Sequence, residues 1–126
     1  MNTLTQKQDQ LEPEYKKWEM LLNSLKHENA FLILKLSEVL DGKEDKEFIS
    51  KAEYFQNEFI TKDEYIKELK NDIKVQLQLI SGSIKDEKIL KKILMKHEKL
   101  RNEIIYFEKN FSNLKMEFDQ SILKDA

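Results

Sequence analysis

The chain has 126 residues, 40% of them hydrophobic and 37% charged, which is enough for one domain and rich in charge, as long amphipathic helices are. Its formal net charge of -2 argues against a global attraction to nucleic acid or anionic membrane, and the absence of cysteine removes disulfides, thiol nucleophiles and thiolate metal sites. Two glycines and one proline leave few places to turn, so strands joined by tight hairpins are hard to build and long helices are expected.

Residues 1–11 carry Gln, Asn, Thr and Asp with little to bury, and are predicted to be a flexible lead-in. The stretch Met1 to Gln10 lacks the apolar core of a signal peptide. The longest apolar run, Ala30 to Leu34, is far short of the roughly 20 residues needed to span a membrane. A cytoplasmic location is the resulting expectation. Pro13 suits the first turn of a helix, where its missing N–H has no intrahelical partner, and Glu12 and Glu14 suit the positive end of the dipole.

From there Tyr15, Trp18, Leu22, Leu25, Asn29, Leu32, Leu36 and Val39 alternate at spacings of three and four up to Asp41-Gly42, a helix stop. The first predicted helix is 13–40. Leu21, Ile33 and Leu40 widen its apolar stripe, as expected for a helix packed against two neighbours. Phe31 and Leu34 fall on the far side, either as ordinary exposed apolar residues or as part of a contact surface. Asn29, at an a position between leucines, gives the seam a likeness to a leucine zipper. No basic region precedes it, so DNA binding does not follow. A buried Asn there would specify register, with Gln56 or water as its partner near Phe55 and Phe107. Partial exposure is the alternative.

Asp45 is a candidate N-cap for a second helix over 46–80, whose seam is Phe48, Ala52, Phe55, Phe59, Lys62, Ile66, Leu69, Ile73, Gln76 and Ile80. Thr61 and Glu64 match a capping box, which raises a break near Ile60. The heptad phase crosses it without slipping, so one continuous helix is expected. Within this helix Ala52 to Phe59, AEYFQNEF, resembles a segment of short helical coiled-coil proteins of bacteria. That resemblance implies a small coiled-coil domain and brings no activity with it.

Ser81-Gly82-Ser83 punctuates the chain again, with Gly82 free for positive φ and Ser83 placed to cap a third helix over 84–123. Its seam runs through Ile93, His97, Leu100, Ile104, Phe107, Phe111, Leu114 and Phe118. Folded up, down and up on short loops, the three helices form an elongated antiparallel three-helix bundle, all-α and a single domain over 1–126.

His97 is the irregularity in that seam. An imidazole there could ligate metal or titrate, but a stack on Trp18, with which it is level, or a hydrogen bond to a polar neighbour accounts for it structurally. A di-iron bundle needs Glu three residues before each histidine, whereas Ser24 precedes His27 and Leu94 precedes His97. No phosphate loop, nucleophile elbow or zinc motif is present, so neither a cofactor nor an enzyme is expected.

Lys85, Lys88, Lys91, Lys92, Lys96, Lys99 and Arg101 make the start of the third helix locally basic, an alternative site for nucleic acid or another anion. The leading expectation is a noncatalytic scaffold or adaptor working through coiled-coil protein contacts, with homodimerisation open. Phe107, Phe111, Leu114 and Phe118, bordered by Arg101, Glu103, Glu108, Lys115 and Glu117, are its candidate partner-binding residues.

Overall fold

The computed structural model describes residues 3–82, 84 and 86–124, with side chains from residue 9 onward. Helix α1 spans Thr3–Leu40, α2 Lys46–Ile80 and α3 Glu87–Phe118, and a π-helical turn Asp119–Leu123 continues α3. Among the described residues there is no strand. The three helices pack as an all-α three-helix bundle.

Inter-helix bonds define the directions. Asn29 and Gln76, on α1 and α2, reach Phe59 and Tyr15 respectively, so the end of α2 lies beside the start of α1. Gln76 also reaches Ile93, and Phe55 meets Phe118, which makes α2 and α3 antiparallel. The first and third helices therefore run parallel. Glu14–Arg101 and Glu28–Lys115 pair across them at the same sequence separation of 87, so the two helices hold one register over about 14 residues, roughly 21 Å.

The seams become one core. Tyr15, Leu22, Leu36, Phe59, Ile66, Ile73, Leu100 and Phe118 are all fully buried, and the cluster runs without interruption from Leu11 to Ile122. Burying these side chains, at about 1.5–3 kcal/mol each, offsets the entropy of ordering the chain. Phe55 and Phe59 meet Phe118 edge to face at 5.5 and 5.2 Å, closing the end of the bundle opposite His97.

The first helix begins at Thr3, not at residue 13, so residues 3–11 are helical instead of a flexible lead-in and Pro13 lies inside the helix. The heptad explains the difference. Leu11 extends the seam one step ahead of Tyr15 and is buried, which anchors the helix on both sides of the proline. Pro13 and Asp9 face solvent, where water can take the carbonyl bond that proline cannot complete.

The second helix matches its predicted limits and runs unbroken through Ile60. Thr61 does not cap a new helix there; its hydroxyl donates back to the Asn57 carbonyl at 2.9 Å. Asp45 caps α2 through Glu47 N–H at 2.9 Å, as its position predicts. In the first loop Gly42 takes φ 76°, a conformation open to glycine. Gly82 does not share it, so the positive φ predicted in the second loop is absent. The third helix starts at Glu87 instead of residue 84, because Asp86 accepts the Lys88 N–H at 2.9 Å and is itself the cap. Ser83 lies outside the described residues.

Candidate functional site

Each helix contributes one buried polar side chain to the core: Asn29, Gln76 and His97. Two of them, Gln76 and His97, both contact Tyr15 toward the end of the bundle where α1 begins, α2 ends and α3 begins. Gln76 Nε2 donates to the Tyr15 hydroxyl at 2.8 Å and to the Ile93 carbonyl at 3.0 Å, tying all three helices through one amide. The Tyr15 ring then turns its edge to the His97 ring, with centroids 4.8 Å apart.

His97 is 5% exposed and stacks on Trp18, with centroids 4.8 Å apart and planes 27° from parallel. Its Nε2 lies 3.1 Å from Glu14 Oε2. The other oxygen of Glu14 accepts from Arg101 Nε at 3.0 Å and Nη2 at 2.8 Å, and Arg101 Nη1 donates to Glu98 at 2.7 Å. Burial resists ionisation of Glu14, but the hydrogen bonds from Arg101 and His97 and their charges outweigh it and hold the carboxyl below its ordinary range. His97 Nδ1 is buried without a protein partner.

A cleft of about 240 Å³ opens beside this cluster, lined by Leu11, Glu14, Leu94, His97 and Arg101. Its chemistry is that of a clasp. A carboxylate held low by two donors is a poor proton acceptor near neutrality, and every donor that reaches it is already engaged. Among the described residues no three His, Cys, Asp or Glu side chains converge as metal ligands. A larger depression, about 500 Å³, lies between α2 and the π-helical turn, lined by Ser50, Lys51, Tyr54, Phe55, Glu117 and Ser121. No histidine lines it, nor a second carboxylate to pair with Glu117.

Asn29 is 1% exposed, which overturns partial exposure, and its Nδ2 donates to the Phe59 carbonyl at 2.9 Å. The partner is this backbone oxygen and not Gln56, which faces solvent one turn away. A helical carbonyl keeps a second lone pair, so the bond costs α2 nothing. Asn29 Oδ1 has no protein partner.

Phe107, Phe111, Leu114 and Phe118 are not available to a partner: all four are at most 5% exposed. The chain supplies the matching seams itself. Phe107 packs on Tyr65 at 5.5 Å and on Phe111 at 6.2 Å, while Phe118 fills the end of the core. Charged borders mark a coiled-coil interface, but they do not say whether the other helix belongs to the same chain.

The basic stripe is partly neutralised. Lys96 pairs with Asp72 at 3.3 Å, Lys99 with Glu103 at 3.9 Å, and Arg101 with Glu14 and Glu98. Lys88, Lys91 and Lys92 face solvent, and Lys85 lies outside the described residues.

The apolar surface lies elsewhere. Phe31 and Leu34 are each 56% exposed, and on α3 Ile105, Tyr106 and Met116 are 59%, 67% and 56% exposed. Sequence reasoning singled out the first two and missed the others, because the seam of α3 drew attention inward. The signal was there in Ile105, four residues from Arg101, and in Met116, next to Lys115.

No helix of the described residues is long and apolar enough to cross a membrane. No family model, curated protein or solved structure matches the chain.

Proposed function

We propose that the chain is a noncatalytic helical scaffold or adaptor that acts through protein contacts on the outward faces of α1 and α3. One observation carries this reading: Phe31 and Leu34 on α1 and Ile105 and Met116 on α3 are large apolar side chains more than half exposed, on two helices held in one register. Phe31 stands one turn beyond Glu28, which pairs across to Lys115, and Met116 adjoins that lysine. Ile105 stands one turn beyond Arg101, which pairs across to Glu14. Scattered exposed hydrophobics are ordinary, but a contiguous set on one side of a molecule marks a contact site. The polar residues that might have suggested chemistry are instead committed to holding helices together, as Glu14, Gln76 and His97 show by their partners.

The experiment is site-specific photo-crosslinking in the cells that make the protein. A photoreactive residue at Phe31 or Ile105 should give discrete protein adducts, whether with another copy or with a different protein, while one at Leu79 on α2 should give none. Absence of adducts at both positions on the α1/α3 face overturns the reading. No observation favours an anion-binding role for Lys88, Lys92, Lys96 and Lys99 over this one, since two of those four are paired with carboxylates.

A further inference from the structure

We infer that the groove between α2 and α3 beside Lys62 is a binding site for a small planar aromatic acid of one or two rings. This goes beyond the scaffold reading and does not depend on it. Its origin is an irregularity in the seam of α2, where Lys62 stands in place of an apolar side chain between Phe59 and Ile66, both fully buried. A lysine keeps its charge out of such a core. The ammonium leans out to Glu58 Oε2 at 3.5 Å, and the seam lacks an apolar knob at this point. A groove of about 300 Å³ lies there, lined by Thr61, Lys62, Tyr65, Tyr106, Phe107 and Asn110.

Three of these six side chains are aromatic. Tyr65 is fixed at both ends, its ring 5.5 Å from that of Phe107 and its hydroxyl donating to Glu103 at 3.1 Å. Phe107 is buried and Tyr106 is 67% exposed, so the walls run from the core to the opening. Such walls favour a flat ring, which makes offset or edge contacts with each of them, over an aliphatic chain of the same volume. Ligand sites span roughly 300–1,000 Å³, and this one, at the small end, suits a small molecule and not a helix.

The polar groups set the sign of the ligand's charge. The Thr61 hydroxyl is spent on the Asn57 carbonyl at 2.9 Å and the Tyr65 hydroxyl on Glu103. Among the described residues the Asn110 side chain makes no hydrogen bond, and the contact of Lys62 with Glu58 is longer than the roughly 2.7–2.9 Å of a well-formed ammonium–carboxylate bond. The lining thus offers an ammonium with donors to spare, a free amide and no carboxylate. A ligand carboxylate meets Lys62, and Glu58 turns to water at little loss, because a loose, part-exposed pair holds little.

Titration of the full chain with 2-naphthoate, followed by amide NMR shifts, tests this against the neutral 2-naphthylmethanol. The acid should bind saturably with Kd of about 1 mM or tighter, with the shifts centred on residues 61–65 and 106–110, and the alcohol should bind more weakly. Lys62→Met should weaken the acid about tenfold and leave the alcohol unchanged, while Glu58→Gln, which removes the competing carboxylate, should tighten the acid alone. Tyr106→Ala, at an exposed position, should weaken both probes with unchanged circular dichroism. Lys62→Met should also raise the melting temperature, because it completes the seam. No saturable shift at about 5 mM naphthoate overturns the inference, as do shifts centred elsewhere. An alcohol bound as tightly as the acid, or an acid indifferent to Lys62→Met, overturns it equally.

Discussion

The imidazole of His97 lies on the indole of Trp18, centroids 4.8 Å apart, and this contact joins α3 to α1 where Glu14 also bridges them. Truncation of His97 to Ala removes the stack and leaves a gap beneath a large aromatic. It should cost about 2–4 kcal/mol in urea denaturation. His97→Leu restores volume and removes the unpartnered Nδ1 while losing the bond to Glu14, so its effect should stay within about 1 kcal/mol. An alanine variant as stable as the parent would dismiss the clasp.

Glu14 gives the bundle an acid-sensitive component. Its folded pKa lies below the ordinary value of 4.5, so the ionised form stabilises the protein above that value. The contribution is lost as pH falls through the depressed folded pKa. In denaturation series from about pH 7 to about pH 3, Glu14→Gln should differ most from the parent at the upper end, with the gap narrowing toward the lower. A gap that widens on acidification would contradict the pairing with Arg101.

Asn29 separates stability from specification. Its single bond to the Phe59 carbonyl leaves Oδ1 unpartnered, so Asn29→Leu should be neutral or stabilising by about 1 kcal/mol. Asn29→Asp would set a carboxylate against that carbonyl with no donor, and should cost more than about 3 kcal/mol near neutral pH. Thermal melting of both variants reads the contrast. Equal losses in the two would show that Asn29 does not bond as described.

Tyr65 donates to Glu103 at 3.1 Å across α2 and α3, and burial, the Glu103 charge and that bond push its pKa up to about 12. With the folded value above the ordinary 10.0, the phenol's contribution to stability is whole below that value and is lost as pH rises through about 12. The phenol of Tyr15 is also raised by burial, so ultraviolet titration should show late phenol absorbance that Tyr65→Phe reduces by one tyrosine's share. If the late absorbance is unchanged by the substitution, the assignment is wrong.

Much of the bundle is legible in the chain because burial on a helix imposes a period that any long seam must repeat. The limits of α2 follow from Asp45 and from the punctuation at Ser81-Gly82, and the His97–Trp18 stack follows from counting turns between helices on short loops. The early start of α1 is less visible, since a proline and a polar stretch predict an end where Leu11 instead finds a core to enter.

What the sequence by itself determined is the helical class, the inward seams and the level at which they meet, because these depend on periodicity along one chain. Which seams are satisfied internally is a different matter. Phe107, Phe111, Leu114 and Phe118 would read the same way facing another protein, and only packing against Tyr65, Phe55 and Phe59 shows them spent. Likewise Glu14 and Arg101 share no local pattern; they meet because α1 and α3 run parallel in one register. The same register brings Lys115 to Glu28, a pairing that no spacing within a single helix contains.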